Sequence, residues 1–176
     1  SIYNTNYLYD IAVGNDNSVY VTGETPDLNS MFFTAKYDAS GNYQWNQFYS
    51  YSLASGDNVA RKVVIDKDGN IIVAGVSTFE TTSGPPNNPW KDYRNCYSLI
   101  KYAPDGTELW NTILSIRDLF SGPYYIASMV TDKIGYIYSA GSKQTTLYIS
   151  GGSGSLGKPY YQFLTTKINT NGDVDW

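Results

Sequence analysis

Apolar residues in this chain recur in short alternating runs, and no window sustains the three-to-four-residue spacing of an amphipathic helix. Val19-Tyr20-Val21 and Phe32-Phe33-Thr34-Ala35 are β-branched or aromatic, which suits a pleated, half-buried surface. Gly, Asn and Asp punctuate these runs about every 8–12 residues, as strands joined by tight turns require. Val63-Val64-Ile65 is apolar throughout and predicts a strand covered on both faces. The pattern therefore predicts an all-β chain.

The runs repeat. Ala12–Gly23 returns as Val64–Gly75 and again as Val130–Gly141. A second element follows each copy: Lys36 to Gly41 and Trp45, Lys101 to Gly106 and Trp110, Lys167 to Gly172 and Trp176. Lys to Gly is five residues and Gly to Trp is four in all three. Chance in a Tyr- and Gly-rich chain does not produce three copies in register. In the middle copy the strands are expected at Arg61–Ile65, Asn70–Val76, Tyr97–Ala103 and Glu108–Ser115. Asp68-Gly69 and Asp105-Gly106 are hairpin signals, since Gly adopts the positive φ such turns need. Asn17-Ser18 and Ile134-Gly135 stand in place of the first of these, so turn type is expected to differ between copies.

A four-stranded antiparallel sheet repeated along a chain is the unit of a β-propeller, in which face-to-face packing of blades buries their apolar surfaces. The expected division is 1–52, 53–117 and 118–176, three blades of one domain with the outer strand of the third incomplete. The segments "DIAVGNDNSVYVTGET … FTAKYDASGNYQW" and "VVIDKDGNIIVAG … SLIKYAPDGTELW" resemble the bacterial β-propeller repeat family known as SBBP, over nearly the whole length. The third copy departs most, with Ile134 and Tyr136 in place of Asp and Asn. The resemblance implies a secreted or surface-anchored protein and attaches no catalytic set to the repeat. Propellers close with about four to eight blades, so three blades are expected to be a section of a longer chain, with a homodimer closing six blades and an open capped stack as alternatives.

The spacing from repeat Gly to repeat Lys is 13 residues in the first copy and 26 in the other two. The extra residues form two predicted loops, 77–95 and 142–159. Long loops at one end of a scaffold are where binding concentrates. The Gly/Ser-rich run 150–157 reads as a flexible connector. The Pro-rich segment carries Trp90, Tyr93 and Tyr97, which are the candidate partner-contact residues.

Composition narrows the chemistry. Among 176 residues there are 12 basic and 16 acidic side chains, no His and one Cys. No block of like charge supplies a nucleic-acid footprint, no apolar run is long enough to span a membrane as a helix, and no internal disulfide can form. Without His there is no Ser-His or Cys-His pair. The three Glu residues, Glu24, Glu80 and Glu108, occupy unrelated repeat positions, so a paired-carboxylate site is not expected. Asp66-Lys67-Asp68-Gly69-Asn70 resembles the front of a calcium loop but lacks the distal Glu, and a hairpin turn explains it better. Asp38…Gly41…Trp45 resembles the Asp-box of sialidase-type propellers with one residue too many; its reading is a packing device. Lys36, Lys101 and Lys167 share one repeat position and would form an anion site if they met at a tunnel; lysines lying along aromatic neighbours is the alternative. Cys96 is expected to be a buried thiol. Eighteen Tyr residues suit strands as well as sugar stacking.

No catalytic residue, metal ligand or cofactor site is therefore assigned. Low Lys, abundant Tyr, Asn, Ser and Thr, and the family resemblance point outside the cytoplasm. The expected function is a non-catalytic extracellular or cell-surface scaffold and protein-interaction module, partnered by other blades or subunits of a larger surface assembly. The alternatives are part of a propeller enzyme, a lyase or hydrolase with catalytic residues elsewhere, and a lectin whose partner is a glycan.

Overall fold

A computed structural model describes residues 6–26, 30–51, 57–114, 121–151 and 154–176. The described residues form an all-β structure of eleven strands. β1 (Tyr7–Val13), β2 (Val19–Glu24), β3 (Phe32–Tyr37) and β4 (Tyr43–Tyr49) make one antiparallel sheet in sequence order. β5 (Asn58–Ile65), β6 (Ile71–Ser83), β7 (Trp90–Tyr102) and β8 (Glu108–Leu114) make the second. β9 (Ser121–Thr131), β10 (Ile137–Gly151) and β11 (Gly154–Ile168) make the third. A bridge from Ile168 to Val174 begins a further pairing on the outer side of β11. The expected boundaries at 52–53 and 117–118 lie outside the described residues.

The sheets pack through their first strands: β5 lies against β1, β2 and β3, and β9 lies against β5, β6 and β7. The second sheet is consequently buried on both sides. Ile71, Val73 and Ile100 face a core shared with Tyr20 and Phe32 of the first sheet. Ile72, Ala74 and Leu99 face a core shared with Met129, Ile137 and Ile168 of the third. Alternate residues of one strand thus serve opposite cores, which is why Val63-Val64-Ile65 and Ile71-Ile72-Val73-Ala74 are apolar without interruption.

Six turns share one hydrogen-bond pattern. In Gly14–Ser18, Asp38–Asn42, Asp66–Asn70, Ala103–Thr107, Asp132–Tyr136 and Asn169–Asp173, the first N–H donates to the fifth carbonyl and the fourth N–H to the first carbonyl. The fourth residue has positive φ in each: Asn17, Gly41, Gly69, Gly106, Gly135 and Gly172. This is a three-residue hairpin, a type I turn followed by a left-handed residue. The expectation that turn type differs between copies is corrected. Asn tolerates the left-handed region at position 17, and Asp132 Oδ1 accepts from the N–H groups of Ile134, Gly135 and Tyr136, so the turn closes without a Gly-Asn pair.

The two predicted loops are also corrected. Residues 77–95 extend β6 and β7 into a long hairpin, paired in unbroken register to Ser83 and Trp90. Residues 142–159 likewise extend β10 and β11, paired to Gly151 and Gly154. β-branched and aromatic residues at 78–82 and 145–149 favour the extended backbone, and insertion of equal length on both sides of a turn keeps the register.

Adjacent sheets interlock at the outer strands. The Trp45 indole N–H donates to the Pro104 carbonyl at 3.1 Å, and Gln47 Nε2 to the Gly106 carbonyl at 2.9 Å. One sheet further on, the Trp110 N–H donates to the Thr170 carbonyl at 3.0 Å, and Thr112 Oγ1 to the Gly172 carbonyl at 2.6 Å. Each indole lies over the turn glycine of the next sheet: a Cβ on Gly106 would stand 3.0 Å from the Trp45 ring. Gly41 has the same backbone conformation with nothing within 4 Å of that point. Gly41→Ala is therefore expected to lose about 1–2 kcal/mol from the left-handed backbone alone, and Gly106→Ala to lose more because Trp45 must also move. Equilibrium urea unfolding measures both; equal midpoints for the two variants would show that the indole contact adds nothing.

Candidate functional site

Both long hairpins project from the end of the molecule where β5 begins. At that end the first strand of each sheet carries a β-bulge, at Tyr9, Arg61 and Ala127. The bulge is accommodated because the neighbouring strand offers a glycine: a Cβ on Gly75 would stand 2.2 Å from the Val59 carbonyl. Bulges re-aim side chains and are common beside sites. Here the Arg61 guanidinium lies 4.2 Å over the Tyr9 ring, and the Tyr9 hydroxyl donates to the Glu24 carboxylate. That hydrogen bond, helped by partial burial, raises the Tyr9 phenol above its ordinary value.

A cleft of about 560 Å³ opens between the second and third sheets, lined by Asp57, Arg61, Thr78, Asn95, Tyr125 and neighbouring aliphatic residues. The Thr78 hydroxyl donates to Asn95 Oδ1 at 2.7 Å. One guanidinium, one carboxylate, an amide, a hydroxyl and a phenol give the cleft hydrogen-bonding capacity of both signs. They provide no nucleophile with an adjacent base.

Above the cleft stands the β6–β7 hairpin. Its tip is closed by the Asn88 N–H donating to the Pro85 carbonyl at 2.9 Å. The Trp90 ring lies against Gly84, where a Cβ would meet it at 2.3 Å, yet Trp90 remains 56% exposed. Lys91 and Glu80 pair across the strands at 3.0 Å, and Phe79 meets the Tyr51 ring edge-on at 5.5 Å between centroids. Of the three candidate contact residues, only Trp90 is presented to solvent among the described side chains. Tyr93 pairs with Glu80 along the ladder, and its side chain lies outside the described residues. Tyr97 is buried in the core between the second and third sheets, so its place in a contact surface is corrected: it stands four residues before the repeat Lys, inside the sheet proper. Arg61 belongs to no motif in the sequence; its one signal is a cation where the other copies have Tyr9 and Ala127.

The other candidates resolve as parts of the framework. The three repeat lysines do not meet. Lys36 Nζ donates to the Pro104 carbonyl at 3.1 Å, Lys101 pairs with Asp66 at 2.8 Å, and Lys167 pairs with Asp175 at 2.9 Å. Each also lies over an aromatic ring, of Tyr20, Trp110 and Tyr136 respectively. Asp66 Oδ1 accepts from the N–H groups of Asp68 and Asn70, and Oδ2 from Asn70 Nδ2 and Lys101, so its lone pairs hold the turn. Among the described residues no group of three or more Cys, Asp or Glu converges on one point. Cys96 is fully buried, its thiol donating to the Ser77 carbonyl, and burial raises its pKa.

No protein-family model matches the chain, and no curated protein matches it.

The buried Asp66–Lys101 pair gives a stability test. Burial alone would raise the Asp66 pKa, but hydrogen bonds from Lys101 and Asn70 outweigh it and hold the carboxyl below its ordinary value. A depressed folded pKa stabilises the fold above the unfolded value of about 3.9, and that contribution is lost as pH falls through the folded value. Asp66→Asn keeps the turn acceptor but leaves Lys101 buried without its counter-charge, with an expected cost of about 3–5 kcal/mol at neutral pH. Denaturant titrations of both proteins are expected to converge as pH falls below the folded pKa of Asp66; a constant difference down to the lowest accessible pH would contradict the assignment.

Proposed function

We propose that the protein is a non-catalytic scaffold of β-propeller type, each sheet a blade, that works within a larger extracellular or cell-surface assembly and holds a partner protein at its hairpin end. The three-fold sequence period, the common turn geometry and the repeated Trp-over-turn contact support the propeller reading, as does the resemblance to SBBP repeats. Low Lys and abundant Tyr, Asn, Ser and Thr support the extracellular placement. The observation that carries the interaction role is Trp90. A large ring braced on a closed hairpin tip and left exposed loses little freedom on binding, and such aromatic anchors carry most of the energy of an interface.

The polar cleft at the foot of the hairpin supports a second reading, a glycan held by Asp57, Arg61 and Asn95 against Tyr125. One comparison separates the two. Immobilised wild-type, Trp90→Ala and Arg61→Ala proteins are presented with cell-surface proteins and with a glycan array. For the scaffold reading, Trp90→Ala lowers recovery of the protein partner about 30-fold, the equivalent of ~2 kcal/mol for an aromatic hot spot, at unchanged Tm. Undiminished recovery defeats it, and glycan binding abolished by Arg61→Ala establishes the second reading in its place.

A further inference from the structure

Arg61 is the cation at the bulge position, where the first and third sheets carry Tyr9 and Ala127. Its guanidinium carbon lies 4.2 Å from the centre of the Tyr9 ring. Tyr9 is held in turn, because its hydroxyl donates to the Glu24 carboxylate. That bond engages Glu24 with the phenol and enriches the ring face that attracts the cation. Among the described residues no carboxylate lies within ion-pair distance of Arg61. A guanidinium carries five N–H donors in a planar fork. The ring contact fixes where this fork stands without consuming its charge.

The same guanidinium lines the cleft of about 560 Å³ between the second and third sheets, a volume typical of small-molecule sites. Asp57, four residues earlier in the chain, lines it as well. Its carboxylate also has no ion-pair partner among the described residues, so the two charges do not neutralise each other. Asn95 Oδ1 is taken by the Thr78 hydroxyl, which leaves the amide N–H groups as its donors to a ligand. Val59, Val76 and the half-exposed Tyr125 ring add apolar surface. The complementary ligand carries a carboxylate for Arg61, hydroxyl donors for Asp57 and an apolar face for Tyr125. A sugar acid has all three. An acidic peptide supplies the carboxylate but few hydroxyls, and its further acids are repelled by Asp57.

We infer that the cleft binds a hexuronic acid residue of a glycan, with Arg61 holding the carboxylate, Asp57 accepting from hydroxyls and the Tyr125 ring covering the apolar face of the sugar. A planar carboxylate matches the guanidinium fork in a bidentate pair. Tyr9 is a positioning residue: it touches no ligand and acts by setting the place of the guanidinium. The assignment rests on the glycan reading of the cleft given above and adds charge selectivity to it.

Isothermal titration calorimetry of the 176-residue chain tests it with a hexuronic acid disaccharide, its methyl ester and the matching neutral disaccharide. The acid is expected to bind about 10–100-fold more tightly than the ester, the worth of a hydrogen-bonded charge pair. This comparison uses the wild-type protein and needs no variant. Arg61→Lys keeps the charge without the fork and is expected to retain only part of the preference, and Arg61→Ala to remove it. Tyr9→Phe keeps the ring and the preference. Tyr9→Leu is expected to lower the preference about threefold with the ester's affinity unchanged, whereas a merely structural role would lower both ligands alike. Equal binding of acid and ester overturns the carboxylate assignment and leaves the glycan reading standing. Binding of none of the three saccharides defeats both. A sulfated disaccharide preferred to the acid, or a Glu-rich peptide bound through Arg61 in place of the sugar, would also overturn the proposal.

Discussion

The fold depends on covering both faces of the second sheet. Ile71, Ile72, Val73, Ala74, Leu99 and Ile100 have no exposed surface, and no single partner layer can achieve that for adjacent residues of one strand. Successive side chains point to opposite faces, so each face needs its own neighbour. The first and third sheets supply these, and the same requirement passes outward to them. The indole of Trp45 or Trp110 fixes the angle at which the next sheet arrives, because it is hydrogen-bonded to that sheet's turn and rests on the turn's glycine. A side chain at that glycine would hold the sheets apart.

Charge is used locally in this molecule. Hydrogen bonds from Ser18 hold the Asp16 carboxyl below its ordinary pKa, and those from Asn42 and from Thr107 do the same for Asp38 and Asp105. At Asp132, desolvation opposes the N–H groups of three following residues, which prevail. These carboxylates replace backbone partners that the tight turns leave unsatisfied. The three repeat lysines are committed in the same way, to a turn carbonyl, carboxylates and ring faces. The regular framework is interrupted at the bulges and lengthened in the two long hairpins.

Those hairpins show how insertion produces a surface without disturbing a core. Thirteen additional residues between repeat Gly and repeat Lys lengthen two paired strands and lift their turn away from the sheet. Side chains near the repeat Lys, such as Tyr97, stay within the core, whereas those at the tip, such as Trp90, leave it. Being aromatic does not by itself decide which of the two stays in the core.

The all-β class, the threefold period, the positions of most turns and the covering of Val63-Val64-Ile65 from both faces followed from the order of residues alone, because alternation, turn chemistry and spacing are local properties. The lengths of the two hairpins, the common geometry of turns as different as Gly14–Ser18 and Asp66–Asn70, the separation of the three lysines and the burial of Tyr97 did not. Each depends on which backbone groups and faces meet across the sheets, and residues that far apart in the chain carry no mark of their partners. Phe32 and Tyr97 hold one repeat position, and each is core because the following sheet covers it.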